Sequence, residues 1–228
     1  MVVLLVVLTF AILILVDYVV NREKYIVPAE ATTAVEPVMS APATNTVQGI
    51  PIPADLYFHP GHTWAAPEAG GLVRVGIDAF AARLLAKTEK LTLPLPARWV
   101  RQGDRAFAVA QDGHTAQFVS PVEGEVVQVN RDLIANPAAL KDDPYGQGWL
   151  MVVKAPELQT SLRNLLSGSL ARMWMEDSVD RLRQVFAPTA LAVAQDGGPL
   201  MDGLSAQADE ETWKKLNAEF FRSQETAR

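Results

Sequence analysis

The chain contains no cysteine, and that one absence removes several chemistries. Disulfide bridges, thiolate metal centres, iron–sulfur clusters and a cysteine nucleophile all need the missing sulfur. Histidine is nearly as scarce, with only His59, His62 and His114. A metal site would have to be built mostly from carboxylates, and none stand at a ligating spacing, so no metal is expected. Cations are not clustered: 20 Lys and Arg are spread among 26 Asp and Glu, for a net charge of -6. Phosphate binding begins with a basic stripe, so nucleic acid is not an expected partner. Also missing are a glycine-rich phosphate loop, a Gly-x-Ser-x-Gly elbow and a His-Glu-x-x-His helix. Asp142 and Asp143 read as part of a turn, and Asp177 and Asp180 as a helix surface, so no acid–base pair emerges. No catalytic residue is assigned, and no enzyme is expected.

What is present divides by texture. The chain has 228 residues, 49% hydrophobic, enough for one or two domains. Val2 to Val16 is apolar except for Thr9, and Asp17 to Val20 extends the run. As a helix rising 1.5 Å per residue, about 19 residues would span roughly 28 Å, close to the hydrocarbon thickness of a bilayer. Residues 1–21 are therefore expected to form a transmembrane anchor in contact with lipid. A cleaved signal peptide, cut near Ala29-Glu30-Ala31, is the competing reading. Arg22 and Lys24 follow the run, and the positive-inside rule keeps them in the cytoplasm. The expectation is a single-pass protein of the inner membrane with a cytoplasmic body. Residues 22–53 turn to Pro, Ala and Thr, with Pro28, Pro37, Pro42, Pro51 and Pro53 opposing helix and central strand. They are read as a linker.

Residues 54–157 carry the pattern of a compact β-rich domain. Leu72 to Ile77 alternates as a strand after Gly70-Gly71, and Asp78 is placed to cap a helix over Ala79 to Ala86. Leu91 to Leu93, Ala106 to Gln111, Thr115 to Val119, Glu125 to Val129 and Trp149 to Val153 read as further strands. Asp112-Gly113 is a two-residue hairpin signal, since a primed turn needs positive φ twice. Asp132 to Leu140 reads as one or two helical turns. Short strands with frequent turns argue for a small sandwich or barrel. Residues 158–228 become helical. Leu158 to Phe186 is an amphipathic helix, kinked at Ser167-Gly168-Ser169, and Asp209 caps a second helix running to Arg222. Gln195 to Pro199 reads as a connector. The fold class is thus mainly β with appended helices.

Particular residues point further. Phe58-His59-Pro60-Gly61-His62-Thr63-Trp64 resembles the opening motif of the glycine cleavage H-protein family. Val75-Gly76-Ile77 with Phe80-Ala81, then Leu93-Pro94 before Gln102-Gly103-Asp104, resembles the segments that follow it. Ser120 to Val127, Val129-Asn130, Asn136-Pro137 and Asp143-Pro144-Tyr145-Gly146-Gln147-Gly148-Trp149-Leu150 complete the similarity, over about residues 56 to 156. The resemblance implies a lipoyl-domain-like flattened β-barrel or sandwich. It also implies a lysine at a hairpin tip, carrying lipoate between enzymes. In this sequence the matching hairpin is Phe107 to Phe118. The attachment position falls on His114 when counted forward from Phe107, and on Gly113 when counted back from Pro121. Neither side chain forms the amide, and the nearest lysines, Lys90 and Lys141, map to other parts of the fold. The member expected is divergent and membrane-anchored, without a lipoyl lysine and without a cofactor.

His114 is read as a polar residue beside an exposed turn, with a replacement proton carrier or ligand as the alternative. His59 and His62 are read as framework, because Pro60-Gly61 prevents the helix that would align them on a metal. Trp174, Trp213, Phe220 and Phe221 are candidate partner-binding residues; the alternative is that the terminal helices pad the domain's own surface. The functional expectation is a non-catalytic membrane-tethered adaptor or accessory subunit, whose protein partner is a membrane-bound redox complex. The alternative is a lipoyl-type carrier or accessory protein of glycine cleavage or a related one-carbon or sulfur pathway.

Overall fold

The computed structural model describes residues 45–85, 88–186 and 203–221. The expected anchor over residues 1–21, most of the linker and the connector Gln195 to Pro199 lie outside the described residues. Among the described residues no helix is long and apolar enough to cross a membrane.

In chain order the elements are β1 (Asn45–Val47), β2 (Ile50–Ile52), β3 (Tyr57–His59), β4 (Thr63–Glu68), β5 (Leu72–Ile77) and α1 (Ala79–Leu84). Then follow β6 (Lys90–Thr92), β7 (Trp99–Val100), β8 (Arg105–Gln111), β9 (His114–Val119) and β10 (Gly124–Val129). The rest comprises α2 (Arg131–Ala135), α3 (Ala139–Asp142), β11 (Met151–Lys154), α4 (Leu158–Arg163), α5 (Gly168–Phe186) and α6 (Glu210–Glu219). One antiparallel sheet runs β3-β4-β5-β11-β10-β7, a second β6-β8-β9, and β1 and β2 pair as a ribbon. Alternation decides what each strand buries. Val73 and Val75 of β5, Phe107 and Val109 of β8, and Ala116 and Phe118 of β9 point inward to one continuous core. This is a mainly β sandwich with attached helices.

Asp78 caps α1 as expected, accepting from the Ala81 amide at 2.9 Å. The most specific motif of the sequence forms a clasp over the same region. Asp143 accepts from the amides of Gly146 (3.0 Å) and Gln147 (2.8 Å) and fixes the turn. That turn offers the Pro144 carbonyl to the buried Trp64 indole at 3.1 Å. Asn130 caps α2 at the Leu133 amide and donates to the carbonyls of Gln147 and Trp149. Tyr145 closes the clasp by donating to the Pro51 carbonyl at 2.8 Å and accepting from the Ala79 amide at 3.1 Å.

Two boundaries differ from the expectation. Residues 45–53 are not linker: Val47, Ile50 and Ile52 are buried in the core. Gln48 (φ 48°) and Gly49 (φ 80°) make the two-residue turn between β1 and β2. A ribbon of two strands leaves Pro51 without an obligatory N–H partner, so proline does not forbid it. The helix expected from Leu158 to Phe186 is broken in two. Leu166 forms a bridge to Phe58 on the outer strand β3, exchanging both backbone hydrogen bonds at 2.8 Å. Pairing that strand offers Leu166 more than continuing a helix would, and Gly168 at φ 56° restarts the chain as α5.

Burial, reinforced by the Asp78 charge, holds the Tyr145 phenol well above its ordinary pKa of 10.0. The fold thus favours the neutral phenol. That contribution is complete below the unfolded value of 10.0 and is lost as pH rises beyond it toward the folded value. Tyr145→Phe leaves the Ala79 amide and Pro51 carbonyl without their partner and is expected to cost about 1–3 kcal/mol at neutral pH. Thermal unfolding across pH 8 to 12, as an order-of-magnitude window, should show the variant losing less additional stability above pH ~10 than the parent.

Candidate functional site

The hairpin of β8 and β9 turns where the sequence places it. Asp112 (φ 48°) and Gly113 (φ 78°) occupy the turn, closed by the Gln111–His114 pair. Asp112 and Gly113 are exposed. His114 is not: its side chain is 28% accessible, because its ring lies on the Trp213 indole with centroids 4.8 Å apart. His114 Nδ1 is 3.8 Å from a carboxylate oxygen of Glu210, the first residue of α6. A side chain at position 114 therefore runs along α6 rather than out into solvent.

The inner face of the same hairpin is covered by the same terminal segment. Gln111 is buried and donates to Ser205 Oγ at 3.2 Å, while its carbonyl Oε1 has no partner among the described residues. Ser205 in turn donates to the Leu84 carbonyl at the end of α1. Phe118 packs on Phe221 with centroids 4.7 Å apart. α6 forms because Asp209 accepts from the Thr212 amide at its start, and that amide is the main reason the Asp209 carboxyl sits below its ordinary pKa. Its apolar stripe supplies Trp213 and Leu216, and Phe220 follows at the helix end.

The residues read as a docking surface are thus placed elsewhere. Trp213 is 5% exposed, and Phe220 and Phe221 are fully buried. Trp174 is half-buried, 4.7 Å from the His62 ring and 6.3 Å from Phe58. None of the four is presented as a free anchor, since the domain's own apolar surface is what they cover. The spacing of an amphipathic helix identifies a face to be buried but not the surface that buries it.

His59 and His62 do not converge on a ligand. His59 Nδ1 accepts from the Gly61 amide at 3.0 Å, and His62 Nδ1 lies 2.8 Å from Asp78 Oδ2 in the core. No group of three His, Asp or Glu side chains among the described residues could hold a metal. Asp143 is spent on its turn, and Asp177 and Asp180 pair with Arg181 and Arg183. One lysine, however, is nearer than expected: Lys90 on β6 pairs with Ala110 of β8, one ladder step from the hairpin tip. Sequence distance hid it, because β6 joins the sheet beside a strand fifteen residues later.

A sandwich of this kind, with a hairpin presented at one end, is lipoyl-domain-like. Comparison with known proteins is specific. The family model "Glycine cleavage H-protein" matches residues 56–178, and the chain belongs to that family. A glycine cleavage system H protein of Alteromonas mediterranea is 34% identical over 129 residues, 57% of this chain and 96% of its own length. That of Pseudoalteromonas atlantica is 40% identical over 107 residues, 46% of this chain and 82% of its own. A solved H protein of Mycobacterium marinum aligns with TM-score 0.46 and 32% identity, over 52% of this chain and 94% of its own. The matched region extends past the expected end near Pro156, through α4 and into α5.

Trp213→Ala should behave as a core truncation. Removing a buried aromatic costs about 3–5 kcal/mol, which would lower the melting temperature strongly. An unchanged melting temperature would mean that Trp213 faces solvent and not His114.

Proposed function

We propose that this chain is a non-catalytic, H-protein-like accessory subunit that carries no lipoate. The observation that supports it most is the hairpin tip. Asp112, Gly113 and His114 stand where an amide-forming lysine is required, and the ring of His114 is covered by Trp213. A carrier works by letting a long arm leave the protein surface; Asp112 and Gly113 are exposed but have no amine to hold one, and His114 beside them lies under α6. The family frame then serves as a binding module, and the protein is an adaptor and not a shuttle.

The apolar run of residues 1–21 supports a membrane tether, with the inner membrane as its place and the body on the cytoplasmic side. The partner we place is a membrane-bound redox complex, supported by that run and by the carrier ancestry alone. Family membership favours the second reading, a lipoyl carrier of glycine cleavage or a related pathway.

Intact mass of the chain purified from its own membranes decides between them. The accessory reading expects no lipoyl addition, even after incubation with a lipoate-attaching enzyme, lipoate and ATP. A lipoyl adduct would overturn it, and peptide mapping would then show whether Lys90, beside the tip, carries the arm.

A further inference from the structure

The hairpin tip lacks an amine, and the fold sets a second, separate obstacle to an arm there. The turn itself is open. Asp112 and Gly113 are exposed, and a Cβ at Gly113 would meet no atom of the described residues within 4 Å. The β9 flank directly behind the turn is covered. Trp213 lies on the His114 ring with centroids 4.8 Å apart, and Glu210 is 3.8 Å from His114 Nδ1. Gln111 and His114, the last pair of the ladder, both meet the segment 203–221, so only the two turn residues project beyond it.

That segment is fixed at both ends. At its start the Gly203 amide donates to the Arg83 carbonyl at 2.8 Å, and Ser205 links Gln111 to the Leu84 carbonyl. At its end Phe220 packs on Phe80 with centroids 5.3 Å apart, and Phe221 on Phe118 at 4.7 Å. A helix of 10 residues is marginal on its own, so α6 depends on this seat to form. Ser205, Phe220 and Phe221 are all buried. Such anchors describe a fixed cover, not a hinged lid.

An enzyme that modifies a side chain on a folded protein must hold the protein around that side chain. Even transient protein–protein contacts bury on the order of 500 Å² on each partner. Two turn residues present far less, so the strands behind the tip have to take part. One of those strands, β9, is occupied by the chain's own helix. We propose that residues 203–221 are a built-in barrier that keeps a lipoate-attaching enzyme off this hairpin, so that a lysine restored at the tip would not restore attachment. The proposal rests on the accessory reading and deepens it: the arm is excluded twice, by the chemistry of the tip and by the shape of its flank.

The test uses the full-length chain carrying Asp112→Lys, Gly113→Lys or His114→Lys, incubated with a lipoate-attaching enzyme, lipoate and ATP. A lipoyl domain known to accept lipoate is the control in the same tube. Intact mass should show each variant modified at least about 100-fold more slowly than the control, since a steric clash opposes the enzyme. Two further changes loosen α6: Lys214→Pro breaks it from its exposed side, and Trp213→Ala withdraws its contact with His114. In a loosened background whose cooperative melt shows that the β frame persists, the rate at position 113 or 114 should rise by about tenfold or more as the clash is relieved. Modification at the control's rate with α6 intact would overturn the proposal, as would a folded, loosened chain that stays unmodified at all three positions. Loss of the β frame in both backgrounds would overturn it too, because the segment would then belong to the frame. The mass of the native chain is read separately. Adducts on the lysine variants alone refute the barrier and leave the accessory reading standing, whereas an adduct on the native chain refutes that reading itself.

Discussion

Much of the structure hangs on the buried hydrogen bond between His62 and Asp78. Asp78 is fully buried and His62 is 1% exposed, and their contact is 2.8 Å. Asp78 also starts α1, and the His62 carbonyl accepts the Asp78 amide, so one residue pair sets the angle between β4 and α1. The imidazole is then covered by Phe80 at 4.2 Å, Trp174 at 4.7 Å and Phe220 at 5.9 Å. Those rings come from α1, α5 and the end of α6. A polar pair in a core is costly unless its hydrogen bonds are met and its surroundings are fixed. Here the surroundings are the terminal helices themselves, so the pair gives α5 and α6 a defined seat. His62 holds φ 57° to reach this position, a strain that neighbouring contacts must offset.

From that seat the rest follows by connectivity. With Phe220 on His62 and Phe221 on Phe118, the preceding helix must lie across the open side of the β8–β9 hairpin. Trp213 then meets His114, and Ser205 meets Gln111. The residues that hold the β frame together are therefore different from those that cover the hairpin. Trp64, Tyr145, Asn130 and Asp143 maintain the frame. The closure of the hairpin depends on residues 203–221, which lie beyond the region matched by the family.

Several of these features were legible in the sequence for local reasons. Asp78 and Asp209 read as caps because a short carboxylate before an apolar run has one obvious acceptor role. Asp112-Gly113 read as a turn because few pairs accept positive φ twice. The illegible features depend on distant partners. Gln48-Gly49 is the same kind of turn as Asp112-Gly113, but it was masked by surrounding prolines, and only the core shows that Val47, Ile50 and Ile52 have somewhere to go. Leu166 has the periodicity of a helix and leaves it to pair with Phe58. Trp213, Phe220 and Phe221 read as sticky without revealing that the surface they meet is their own. Ala97 gave no sign of its left-handed turn, since that conformation is ordinarily read from glycine.

The covering of the hairpin depends on the terminal helix lying over His114, beside the exposed Asp112-Gly113 turn. Proton–proton Overhauser contacts between the His114 imidazole and the Trp213 indole, measured on the full-length chain in detergent micelles, test this directly. The account predicts strong contacts from rings whose centroids are 4.8 Å apart. Their absence, with His114 tumbling freely at an open tip, would contradict it.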